Sequence, residues 1–271
     1  ALVVDYLARH GYTRTVAAFV RESTVRELDP DGDDVGIAQD VPPDELARIE
    51  QSNQIYRHIQ SGRLDAATRL LQSHFPAVLA GPRPDRPPPH TPRRISDAIP
   101  YACATSTDPA HLSLNLRVQA FIEACRTRPL HDTDDPPPST DQIALLTMAQ
   151  KLLAHAQILP NESDRRLFTA ELKNVGALLA YKVPEDSTMR KYLAQERRDA
   201  VADQIHRAIF ESSGVCSISS LELLVRYTES VWYFANKMGV KPRPGALLPP
   251  TQQKEPETVP IFHLGLFLDL K

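Results

Sequence analysis

Nine histidines, three cysteines and 34 carboxylates are the groups from which this 271-residue chain could build a reactive or metal-binding centre. Their spacing assembles none. A helical pair of zinc ligands needs His at i and i+4, and no two of the histidines are so placed. His10, His58, His155 and His206 therefore read as surface or half-buried helix residues. Cys103, Cys125 and Cys216 lie far apart, with no Cys-x-x-Cys pair, which argues against a disulfide framework and for a reducing compartment. No Gly-rich phosphate loop, no Gly-x-Ser-x-Gly elbow and no cysteine with a nearby histidine in sequence is found. Charged clusters such as Glu196, Arg197, Arg198 and Asp199 read as solvated helix surface. The expectation is a chain with no catalytic residue, no metal ligand and no cofactor, and an enzyme only if folding gathers distant side chains.

The remaining composition points the same way. Net charge is −3 with an isoelectric point near 6.3, so nothing steers the chain toward nucleic acid or an anionic membrane. The acidic residues 29–34 read as a solvated loop. No run of 18 apolar residues could cross a bilayer. Aromatics are only 6% and Gly only 10 residues while Pro reaches 24, so the prolines must crowd into connectors between helical blocks. The chain opens at Ala1 without Met and its first helix begins at once, so we expect a fragment of something longer.

Residues 2–23 read as two short amphipathic helices. Leu2, Val3, Tyr6, Leu7 and His10 share one stripe, Gly11 and Tyr12 make the turn, and Val16, Phe19 and Val20 line the second helix. Isolated helices shorter than about 12–15 residues are marginal in water, so this hairpin needs a partner. A second copy supplies one most simply, because a two-fold contact sets the same patch against itself. Packing on later helices of the same chain is the alternative that periodicity leaves open.

Past an acidic tether at residues 24–43, Leu46, Ile49, Ile55 and Ile59 line one helix that stops at Ser61 and Gly62. Leu64, Ala67, Leu70, Leu71 and Phe75 line the next, ended by Pro76, which makes an antiparallel hairpin. Residues 81–109 are rich in proline and read as a largely disordered insertion, with Pro89, Pro92 and Arg94 at the spacing of a weak SH3-ligand pattern. A helix is expected over 112–126, with Leu116, Phe121 and Ile122 apolar, then a polar break over 129–140. Three more follow: from Asp141 to Pro160, over 163–181, and over 189–212. Ser219 with Glu222 forms a capping box for a fourth, whose apolar side carries Leu221, Leu224, Val225, Val231 and Trp232. Their stripes predict an all-α bundle. A short apolar piece at 259–270, in a Pro-rich tail, reads as a cap for the bundle or as unstructured chain.

Three stretches resemble known helical motifs. Leu2, Tyr6, Leu7, Gly11, Tyr12, Thr15, Phe19 and Glu22 resemble the LisH dimerisation hairpin, with Val16 where that family more often has Ala. Ile55, Gly62, Ala67, Pro76 and Leu79 are similar to the CTLH motif, departing at Ser52 and Thr68. Residues 178–181 with Pro184, Ser187, Leu193, Arg198, Val201, Ala208 and Ile209 resemble the CRA domain, departing at Thr188 and His206. Each motif is mostly apolar spacing; their succession is what is specific.

That succession resembles RanBPM-like scaffold subunits of the GID/CTLH ubiquitin ligase, or the compact Twa-like subunit of the same complex. The domain expectation is a LisH hairpin at 1–28, a CTLH hairpin at 44–80, a Pro-rich insertion at 81–111, a CRA domain at 112–240 and a Pro-rich tail at 241–271. The resemblance implies a non-catalytic, cytoplasmic and nuclear scaffold that binds itself through LisH and sister LisH/CTLH/CRA subunits, RING-bearing ones included, through CTLH and CRA. The dimer-interface expectation falls on Leu2, Val3, Tyr6, Leu7, Tyr12, Val16, Phe19 and Val20. The CRA contact expectation falls on Leu178, Leu179, Tyr181, Leu193, Val201, Ile205 and Trp232. A monomeric helical peptide-binding module is the competing reading.

Overall fold

The structure is a computed structural model, described here over residues 2–26, 43–80, 101–128, 141–214, 218–243, 245, 248–249 and 257–265. The SH3-ligand pattern and the acidic residues 29–34 lie outside these. All regular structure in the described residues is helical, and the chain divides into two compact units: residues 1–46 with 218–271, and residues 47–217.

The larger unit begins with α3 (Pro43–Gln60), which enters it from residue 47 on, and α4 (Leu64–His74), joined at Gly62. Pro76 opens the single turn α5 (Pro76–Leu79), as a proline is suited to do. A turn over residues 101–108 leads to α6 (Pro109–Ala124), with Pro109 at its first position and the Asp108 carboxylate accepting from the Ala110 N–H at 2.8 Å. Helices α7 (Gln142–Gln157), α8 (Glu162–Gly176) and α9 (Gln195–Ser212) complete the unit, with three 3₁₀ turns between the last two.

Helix α6 is buried on most of its circumference, the mark of a helix in the middle of a core. Leu114, Val118, Phe121 and Ile122 enter one apolar cluster with Leu145, Leu152, Phe168, Val175 and Leu178. Leu112 and Leu116 enter another, with Ile55, Ile59, Leu71, Val201, Ile205 and Ile209. The α3–α4 hairpin and α9 thus lie on one side of α6, and α7 and α8 on another.

Three expectations change. Of the insertion expected over 81–111, residues 81–100 lie outside the described residues and the remainder belongs to the core: Tyr101, Ala102 and His111 are buried, because α6 starts at Pro109 and the turn before it plugs the core. The helix expected over 163–181 stops at Gly176 and tightens to a 3₁₀ turn over Ala177–Ala180. The helix expected from 189 starts at Gln195, after a 3₁₀ turn over Arg190–Leu193.

Charged residues that the sequence suggested were solvated tie the layers together. Arg197 is fully buried, its guanidinium 2.7 Å from the Glu171 carboxylate and 4.3 Å from the centre of the Tyr101 ring. Arg198 grips Glu123 at two points, 2.8 and 2.6 Å, and Arg126 donates to the same carboxylate at 2.9 Å. Burial alone would push the Glu123 carboxyl up, but the two arginines hold it below the ordinary value.

Gly62 explains how Arg198 fits. Its φ of +76° favours glycine, and a Cβ there would stand 2.7 Å from Arg198 Nη2. We expect Gly62→Ala to cost about 1–2 kcal/mol in backbone strain alone, and more as Arg198 is pushed off Glu123. A depressed carboxyl pKa adds stability that is present above the unfolded value of 4.5 and lost as pH falls through the folded one. The variant therefore loses part of its acid-side slope as well, which urea unfolding from pH 3 to 7 would read.

The smaller unit pairs α1 (Leu2–Arg9) and α2 (Thr13–Arg26) with α10 (Ser220–Lys237), which runs beside α1. Ser219 and Glu222 form the capping box expected of them. The Ser220 N–H donates to Asp5 Oδ2 at 2.7 Å. Partial burial would raise the Asp5 carboxyl, but this bond and Arg9 keep it low. Val259 in the tail donates its N–H to the Val240 carbonyl at 2.9 Å and is buried. The last helix thus forms a unit with the opening hairpin.

Candidate interaction surface

The smaller unit carries an excess of apolar side chains over what it buries. On α10 and its C-terminal cap, Leu224, Tyr227, Val231, Phe234 and Met238 recur at spacings of three and four, the a/d pattern of a helix that packs on another helix. All five are between 54% and 78% exposed. Half-buried Leu221, Val225, Thr228, Trp232 and Ala235 follow the same spacing on a strip about 100° around the helix. Helix α10 is therefore apolar over about half its circumference, and only one of the two strips is covered. The single apolar side expected to carry Leu221, Leu224, Val225, Val231 and Trp232 thus divides in the structure, with Leu224 and Val231 exposed.

On the hairpin, Leu2, Val3, Tyr12 and Phe19 are exposed and Tyr6, Leu7 and Val20 half-buried. Tyr6 stacks on His10 with ring centroids 4.2 Å apart. Val16 is fully buried within the unit. A side chain with no exposed surface meets a partner only if the unit opens, so we correct its assignment as an interface residue.

The CRA contact residues divide in the same way. Leu178 and Leu193 sit in the α6–α8 cluster, and Val201 and Ile205 in the cluster with α3 and α4, all buried. A partner could reach them only by opening the core. Leu179 is partly buried against that first cluster, Tyr181 is exposed, and Trp232 lies on the half-buried strip of α10. For Leu178, Leu193, Val201 and Ile205 the apolar periodicity marks inward-facing positions, and inward here means the fold's own interior.

One grouping escaped the sequence reading, which found no cysteine with a nearby histidine. Cys103, His111 and Asp164 converge with their donor atoms within 4.8 Å of one another. His111 Nε2 lies 3.3 Å from the Asp164 carboxylate. A gap of eight residues in sequence, followed by a third member on another helix, left no motif to recognise.

No helix of the described residues is long and apolar enough to cross a membrane. An all-helical fold with an uncovered apolar helix face in one of its units is the build of a protein-interaction module. Residues 48–232 match the family described as the CTLH/CRA C-terminal to LisH motif domain, and the chain belongs to that family. No curated protein and no solved structure gives a match.

Proposed function

We propose that this chain is a non-catalytic oligomerisation scaffold of a GID/CTLH-type ubiquitin ligase. It self-associates through the α1–α2 hairpin and the outward strip of α10, and it binds sister LisH/CTLH/CRA subunits, RING-bearing ones among them, in the cytoplasm and nucleus. The observation that carries this reading is the exposed heptad strip from Leu224 to Met238, in the same unit as exposed Leu2, Val3, Tyr12 and Phe19. Leaving a large apolar side chain in water forgoes about 1.5–3 kcal/mol. A second copy recovers that with the same residues on both sides.

The test is the mass in solution. By light scattering at tens of micromolar the wild-type chain should weigh two or more protomers, and Tyr6→Asp with Phe19→Asp should weigh one while α3–α9 keep their helicity. A wild-type mass of one chain overturns self-association and favours a monomeric peptide-binding module. Affinity capture of the wild-type chain from cells should bring down RING-bearing subunits of this family; their absence overturns the ligase assignment alone.

A further inference from the structure

Cys103, His111 and Asp164 come from three places in the larger unit: the turn before α6, the first turn of α6 and the first turn of α8. Nothing in their local sequence requires that they meet. We infer that these three side chains form a binding site for one divalent transition-metal ion of the zinc class. The three protein ligands leave a fourth position to water.

The geometry suits such an ion. A tetrahedral zinc with bonds of about 2.0–2.3 Å separates its ligand atoms by roughly 3.3–3.8 Å. His111 and Asp164 already stand 3.3 Å apart, and all three donors lie within 4.8 Å, so closing on an ion takes side-chain adjustment only. Thiolate and imidazole select zinc over magnesium or calcium, which prefer oxygen alone.

The surroundings are built for it. His111 Nδ1 is 2.8 Å from Ser106 Oγ; with Nδ1–H donating there, Nε2 keeps its lone pair for the ion. The Asn161 side-chain amide donates to Asp164 Oδ2 at 3.0 Å and Ser163 Oγ to Oδ1 at 3.4 Å, orienting the carboxylate. Cys103 is the one non-glycine residue with positive φ among the described residues, at +52°. Backbone in that region is strained and persists where its neighbours hold it. They do: the Cys103 carbonyl accepts from Gln204 Nε2 at 2.9 Å and from the Ser106 N–H at 3.0 Å. Asn115, itself buried, donates to the neighbouring Ala102 carbonyl at 3.2 Å.

Without an ion the thiol is held as a neutral donor to Asp164, because burial first and then the carboxylates of Asp164, Glu171 and Asp108 push it up to about 12. A divalent cation reverses that balance: the S–H bond breaks, a sulfur–metal bond forms, and the proton leaves to solvent. The same carboxylates that oppose a bare thiolate favour the cation. Bound, the ion pins the α8 N-terminus to the start of α6.

The experiment uses the full chain without an affinity tag, stripped with chelator and titrated with Co²⁺ alone. We expect one equivalent to bind with a thiolate-to-cobalt charge-transfer band and tetrahedral d–d absorption, and Zn²⁺ to displace it. Cys103→Ser removes the charge-transfer band, Ser106→Ala weakens binding about 10–100-fold, and Cys216→Ser changes neither. Far-UV circular dichroism checks folding; if Cys103→Ser does not fold, His111→Gln must lose the d–d bands instead. Absence of a thiolate band, or one that survives in Cys103→Ser or vanishes in Cys216→Ser, overturns the site.

Discussion

Arg197→Ala is expected to lower the free energy of unfolding by about 3–5 kcal/mol, the cost of breaking a buried ion pair from one side. That is a large share of the roughly 5–15 kcal/mol that holds a domain together. Arg197 is fully buried on α9, and its removal strands the Glu171 carboxylate of α8 in the core. Glu171 would keep only the Ala102 N–H, which donates to it at 2.6 Å. Tyr101 would lose the guanidinium over its ring. The ion pair itself is not the source of the loss. Replacing both partners together, as Arg197→Met with Glu171→Leu, should leave stability near that of the wild type, because both desolvation penalties disappear with the charges. Urea unfolding of the three variants measures this. A double variant as unstable as Arg197→Ala would mean that packing around Tyr101, and not the stranded carboxylate, sets the cost.

The second large effect concerns association. Val231→Glu with Phe234→Glu puts two carboxylates in the middle of the exposed α10 strip. If that strip meets a second copy, each charge is desolvated at the contact centre, where single truncations cost 2 kcal/mol or more. The dissociation constant should rise by at least about 100-fold, read by sedimentation equilibrium. Both positions are exposed within the chain, so its thermal unfolding at low concentration should shift little. The outcome also separates the hairpin from α10 as the seat of the contact. A dimer that survives these two changes and falls to Tyr6→Asp with Phe19→Asp would rest on α1 and α2 alone.

How much of this was legible in the sequence depends on how far apart the interacting residues lie. Gly11 and Gly62 marked both hairpin turns, and each has a positive φ in the structure. Ser219 and Glu222 announced a capping box that formed. These are local effects, settled within one turn of helix. Helix ends were less legible: α8 ends at Gly176 and tightens to a 3₁₀ turn over Ala177–Ala180, while the apolar stripe, with Leu178 buried in the core, runs on past the helix end. Charged residues misled most. Arg197 and Arg198 sit in a run of charges that reads as solvated surface, yet both are buried, since their partners Glu171 and Glu123 come from other helices. Cys103, His111 and Asp164 show the same limit. Periodicity tells which way a residue faces on its own helix and is silent on what meets it there.

The hydrogen bond from Ser220 to Asp5 joins residues 215 positions apart. Its unit is made from the two ends of the chain, with the other unit inserted between them. During synthesis at about 5–20 residues per second, α1 and α2 leave the ribosome on the order of ten to forty seconds before α10 exists to pack beside α1. Closing so long a loop is made less costly when the inserted unit folds first and shortens the span. Packing of α1 and α2 against α10 therefore waits on the whole of the intervening unit, although the hairpin is made well before it.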